Sequence, residues 1–206
     1  MGYVLSGFLA GVSISMGGTV FLLSESKAVG ALMFTVGLFT ICVFGLHLFT
    51  GKVCYVFDNG RSYALSLPLI WLGNLLGALC MGFLLLETRL APALAEKAGA
   101  VCAAKLGQGY LSAFLLAVLC NILIYVAVEG FRSVPHEVGK YLALFFGVAV
   151  FVLCGFEHCV ANMYYFTVGR AWGGTAVAYL LVMTAGNALG GVCFPLARKA
   201  VAQLMK

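Results

Sequence analysis

The sequence predicts an all-α integral membrane protein of six spans, on three observations: its composition, the length of its apolar runs, and a motif that recurs half a chain apart. Of 206 residues, 63% are hydrophobic and 9% are charged, against about 25% charged in a soluble domain. A soluble fold has too little interior to hide that much apolar surface, whereas a bilayer solvates it.

Six runs are long enough to cross at about 20 residues each: 4–24, 30–57, 63–86, 108–129, 139–168 and 173–197. The first, GFLAGVSISMGGTVFLL, has no basic stretch ahead of it and reads as a permanent span rather than a cleaved leader. Polar connections separate the runs, the longest being ETRLAPALAEKAGAVCAAK at 87–105. An even number of spans puts both termini on one side. Seven of the twelve Lys and Arg residues then fall on the side of the termini, which predicts cytoplasmic termini in a cell membrane.

The recurring motif is GNLLGALC (Gly73 to Cys80) in span three and GNALGGVC (Gly186 to Cys193) in span six, an offset of 113 positions. Three spans followed by three similar ones have opposite orientations, because three is odd. The expected plan is a single domain over 1–206, built as a 3+3 inverted repeat of about 1–105 and 106–206. The glycine spacing also suits close helix packing in a membrane.

Spans two and five exceed one crossing and carry polar groups near their middles. GLHLFTGK places His47, Thr50 and Lys52 in span two, and CGFEHCVANM places Glu157, His158 and Asn162 in span five. Interrupted helices at corresponding positions of two repeats point to a midplane site. Irregular backbone at that depth is tolerated only inside protein or along an aqueous cavity. Glu157 has a structural reading, as a tie for loop amides. His158 titrates near neutral pH in water and suits a path for weak acids.

Other function classes find no support in the residues. The net charge of +5 is scattered singly, with no stripe to track phosphates, so no nucleic acid is expected. Eight cysteines form no CxxC pair, which predicts neither disulfides nor a metal site; only Cys102 falls in a polar connection. An enzyme would need a nucleophile or metal constellation, and His158 beside Cys154 or Cys159 has no orienting carboxylate pair. No cofactor is expected.

GLHLFTGK resembles the second-span signature of the formate/nitrite transporter family, and GFEHCVANM resembles its fifth-span signature. The order of the motifs, the six spans and the GN-rich third and sixth helices agree along the whole chain. The resemblance implies an aquaporin-like fold assembled as a homopentamer, with a pore through each subunit. It implies a central pore histidine at His158 beside Thr50, with Asn121 as a span-four pore residue. Phe34 and Phe151 would form the outer constriction; Leu38, Phe49 and Ile124 would form the inner one, with Leu48 flanking Thr50. Lys105 would be a vestibule lysine, and Glu157 and Asn162 would structure the loop. Two departures from the family pattern stand out. His47 occupies a place that is usually acidic or neutral, and the chain starts at its first span without an amphipathic N-terminal helix, so no gate built from such a helix is expected.

The function implied is a channel for small monovalent anions of weak acids, formate or nitrite first and hydrosulfide or lactate behind them. A bare anion faces a large desolvation penalty at an apolar constriction, while its neutral acid does not; a positive vestibule lysine concentrates the anion. Proton coupling, from water or indirectly through His158, is one version, and a charged anion stabilised by Thr50, Asn121 and a protonated His158 is the other. A neutral-solute channel of the water type would carry two NPA motifs at the broken helices, and neither is present.

Overall fold

Each of the two interrupted spans stops for the same backbone reason. Helix α2 (Lys27–Phe44) closes on Gly45 at φ 65°, and α7 (Glu137–Leu153) runs through Cys154 to Gly155 at φ 71°. A left-handed conformation costs a side-chain-bearing residue about 1–2 kcal/mol and glycine nothing. In each case the next amide reaches back five residues, Leu46 to Ile41 and Phe156 to Phe151, both at 2.9 Å. This is the hydrogen-bond closure of a Schellman-type helix end. The chain runs extended for three residues and then restarts as α3 (Phe49–Lys52) or α8 (Cys159–Val168). A 3₁₀ segment, Val53–Asp58, continues α3.

The computed structural model describes residues 1–205. Around the two breaks stand α1 (Gly2–Leu23), α4 (Arg61–Leu86), α6 (Tyr110–Ser133) and α9 (Gly174–Leu204). Together with α2, these are long and apolar enough to cross a membrane. Helix α7 has 17 residues and gains its remaining length through the break into α8. The outward faces carry Leu5, Leu9, Leu72, Leu76, Phe83 and Phe146, all exposed. An apolar exterior around an apolar core is the signature of a chain solvated by lipid.

Helix α1 lies against α4, and α6 against α9, and the recurring glycines set how close these pairs come. A Cβ at Gly77 would stand 2.0 Å from the Phe8 carbonyl oxygen, and one at Gly190 would stand 2.1 Å from that of Val118. Where lipid tails are as apolar as the side chains, such close backbone contact is what drives helix association.

The connection at 87–105 differs from the loop expected there. Residues Ala91–Leu106 form α5, with a proline in the first turn and Leu94, Ala98 and Cys102 buried. Its sequence is rich in alanine and too polar to read as a span, yet Leu90, Leu94, Ala98 and Cys102 recur every four residues on one face. Cys102, expected in a polar connection, is 2% exposed and its thiol meets the Tyr165 carbonyl at 3.3 Å. The site therefore has a helical roof over α8.

Gly77→Leu or Gly190→Leu should lower the thermal unfolding midpoint of the purified protein in detergent, because overpacking costs about 1–3 kcal/mol or more. Gly99→Ala, inside α5 where a Cβ meets nothing within 4 Å, should not lower that midpoint.

Candidate functional site

Two asparagines hold the broken backbone. At the first break, Asn74 of α4 accepts from the Phe49 amide at 2.8 Å and donates to the carbonyls of His47 (3.0 Å) and Gly7 (2.9 Å). At the second, Asn187 of α9 accepts from the Cys159 amide at 2.9 Å and donates to the carbonyls of Glu157 and Ala117, each at 2.8 Å. Both side chains are fully buried. These are the asparagines of the recurring GN motif, and their contacts match partner for partner. They are the functional positions that residue-by-residue reasoning missed; the signal was the recurrence itself.

Between the breaks, Thr50 Oγ1 and His158 Nε2 stand 3.0 Å apart. Thr50 is 0% exposed and His158 is 1% exposed. His158 is also the residue that starts α8: its Nδ1 accepts from the Ala161 amide at 3.2 Å. With Nδ1 used as an acceptor, the neutral ring carries its proton on Nε2 and donates it to Thr50. The Thr50 hydroxyl hydrogen is then left to point elsewhere.

Two cavities approach this pair from opposite faces. One, of about 380 Å³, is lined by Lys27, Phe34, Lys105, Phe151, Glu157 and His158. Phe34 meets Phe151 edge to face, with centroids 5.9 Å apart and planes at 83°, and Phe151 stacks on the His158 ring at 5.7 Å. The other, of about 790 Å³, lies on the face that carries both termini and is lined by Leu38, Leu48, Lys52, Tyr55, Glu129 and Arg132, among others. Phe34 and Phe151 thus border one cavity, and Leu38 and Leu48 the other.

Phe49, Ile124 and Asn121 are buried but border neither cavity. The Asn121 side-chain amide donates to the Thr50 carbonyl at 3.0 Å, so in this structure it fixes α3. Its Oδ1 has no partner among the described residues.

Glu157 and Lys105 form one ion pair at 2.5 Å, with side chains 2% and 13% exposed. Gln108 and Asn162 each donate to the same carboxylate at 2.7 Å. Glu157 therefore ties α5, α8 and, through its carbonyl, α9 to the second break. The pairing compensates the charge of Lys105, leaving Lys27 at the mouth of this cavity with no carboxylate in ion-pair range among the described residues. His47, at the position matching Glu157, bonds Ser6 through Nδ1 at 2.6 Å and meets the Tyr3 ring edge-on; it borders neither cavity.

A family model described as formate/nitrite transporter matches residues 1–199. The chain belongs to the formate/nitrite transporter family. It is 31% identical to the "Probable formate transporter" of Methanothermobacter thermautotrophicus, over 93% of this chain and 85% of that one. It is 28% identical to the nitrite transporter NirC of Salmonella typhimurium, over 94% and 80%. Among solved structures it is similar to a pentameric formate channel with formate bound, at a TM-score of 0.80 and 26% identity over 99% of this chain and 97% of that one. The expected all-helical fold of this family is the fold observed, and the protein is a multi-pass membrane protein whose relatives are transporters and channels.

A buried carboxylate stripped of its cation is strongly destabilising, at about 3–5 kcal/mol. Lys105→Ala should therefore lower the unfolding midpoint more than the double variant Lys105→Ala/Glu157→Gln, in which no charge is stranded. A double variant that unfolds at lower temperature than Lys105→Ala would show that the pair is not held by charge.

Proposed function

We propose that this member of the formate/nitrite transporter family conducts small monovalent anions of weak acids, formate or nitrite, along a path between the two cavities through the Thr50–His158 pair. The observation that carries the reading is that pair itself: a hydroxyl and an imidazole, fully buried, with aromatic rings towards one cavity and leucines towards the other. The relatives and the solved formate channel support the substrate class. The same neighbour supports a homopentamer, with one path per subunit. The seven-to-five division of Lys and Arg supports cytoplasmic termini, which makes the Phe34–Phe151 cavity the outer one. The matched environments of Asn74 and Asn187 support a single domain of two inverted three-span repeats.

The chemistry follows from desolvation. A charged solute loses several kcal/mol on leaving water for an apolar constriction, whereas the neutral acid crosses with only its hydroxyl to satisfy. The hydrogen-bond pattern favours a proton taken from the aqueous cavity. The one ring proton of neutral His158 lies on Nε2, and giving it up would leave imidazolate. A second ring proton would have to sit on Nδ1 and displace the Ala161 amide. In this reading His158 orients Thr50, and the free Thr50 hydroxyl hydrogen meets the oxygen of the passing acid or anion. Phe34 and Phe151 on one side, and Leu38 and Leu48 on the other, exclude hydrated ions.

Uptake of formate, nitrite, hydrosulfide and lactate into liposomes bearing the purified protein tests this across a pH series. Formate or nitrite should enter faster as pH falls, because the fraction present as neutral acid rises about tenfold per unit above the acid's own pKa. Thr50→Val, which keeps shape and removes the hydroxyl, should slow uptake by about tenfold for one lost hydrogen bond of about 1.4 kcal/mol. Movement of water or a neutral solute with none of the four anions would overturn the reading.

A further inference from the structure

The cavity on the terminal face holds a charge imbalance that the proposed conduction path does not use. Four charged side chains border it: Lys52, Asp58, Glu129 and Arg132. Both carboxylates are satisfied from α9. Lys199 pairs with Asp58, and Arg198 pairs with Glu129 at 3.0 Å, with Tyr55 and Ser133 also donating to Glu129. The two cations are left over. The Arg132 guanidinium lies 4.5 Å from the centre of the Tyr55 ring. The Lys52 backbone carbonyl takes the Tyr63 hydroxyl at 2.7 Å, while its ammonium has no carboxylate in ion-pair range among the described residues.

We propose that Lys52 and Arg132 form an anion-holding station in this cavity. A half-buried ammonium beside low-dielectric walls is costly without a counter-ion, and a mobile anion in the cavity supplies one. Walls of Leu38, Leu46 and Leu48 focus the field of the two cations and raise the local anion concentration by about 10-fold or more. The ligand class is a small monovalent oxyanion, a carboxylate or nitrite, since one ammonium and one guanidinium at a wide cavity supply only two positive charges and do not enclose a larger polyanion. Lys52 lies two residues beyond Thr50 on the same four-residue helix, so an anion held there waits next to the Thr50–His158 pair. The identity of the anion rests on the proposed function; the existence of the station does not.

Cys42 borders the same cavity and gives a readout independent of transport. In a variant with the other accessible cysteines removed (C80A/C154A/C193A), its modification rate is measured in nanodiscs with two methanethiosulfonates, anionic sulfonatoethyl and cationic trimethylammonioethyl. Relative to each reagent's rate with a free thiol in solution, the anionic one should be favoured by about tenfold. K52Q and R132Q should each cut that ratio several-fold, K52R should keep it, and added formate should slow the anionic reagent only while Lys52 is present. A ratio indifferent to K52Q, or a Cys42 that neither reagent reaches, would overturn the station. If the ratio responds as stated but liposomes of the parent protein carry no anion, the station stands and the transport reading falls; conduction with an indifferent ratio gives the reverse.

Discussion

Everything at the centre of this protein depends on keeping four interrupted helix ends satisfied where water is scarce. A helix end leaves amides or carbonyls without partners, and at membrane depth each one costs several kcal/mol unless the protein supplies a partner. Asn74 and Asn187 meet that demand with the same economy. One side-chain oxygen takes the first amide of the short helix, and one side-chain nitrogen takes the carbonyl of the preceding extended strand and a carbonyl of α1 or α6. Asparagine suits this because one group carries both a donor and an acceptor; aspartate would lose the two donated bonds and glutamine would overreach. The asparagines also fasten each break to the helix pair that the glycines bring together, so packing and hydrogen bonding support one another.

The two halves share this frame and differ in what they place in it. The first break puts His47 and Leu48 where the second puts Glu157 and His158. Leu48 borders the larger cavity as a plain apolar wall, while His158 supplies the ring that meets Thr50. Glu157 draws Lys105 and Gln108 towards the second break and so fixes α5 over it. His47 instead turns its side chain to Ser6 and Tyr3 of α1. The matched hydrogen bonds thus carry an unmatched lining, since His158 meets Thr50 and borders one cavity while Leu48 borders the other.

The breaks were legible because glycine and polar residues interrupt runs that are otherwise continuously apolar, and GLHLFTGK and CGFEHCVANM are too polar for lipid-facing helix. The pairing of His158 with Thr50 followed from family resemblance, since 108 residues separate them and no local pattern links the two. The recurrence of GN was visible, but which carbonyls Asn74 would reach was not, because its partners lie 25, 27 and 67 positions away. Helix α5 escaped notice for a compositional reason: alanine contributes little to a hydropathy run, and its buried face is set by contact with α8 rather than by its own polarity. The same distance hid the compensation of Lys105, whose partner Glu157 lies 52 positions on. A lysine read in isolation counts as a free positive charge, and only the fold reveals whether a carboxylate has been brought to it.

A conducting path must bind its solute well enough to admit it and weakly enough to release it. A permanent unpaired charge at the midpoint would hold an oppositely charged ion in a low-dielectric well of many kcal/mol. The arrangement of this chain avoids that. Glu157, the carboxylate beside His158 in the chain, is matched by Lys105, and the imidazole of His158 is committed on both nitrogens. On the proposed path, what remains for a solute between the cavities is a single hydroxyl hydrogen on Thr50, an interaction of about 1 kcal/mol net. Charge is instead kept to the two cavities, at Lys27 on one face and at Lys52 and Arg132 on the other. In the proposed reading this gradient of polarity, from charged mouth through apolar collar to one hydrogen bond, favours a species that sheds its charge on the way in and regains it on the way out.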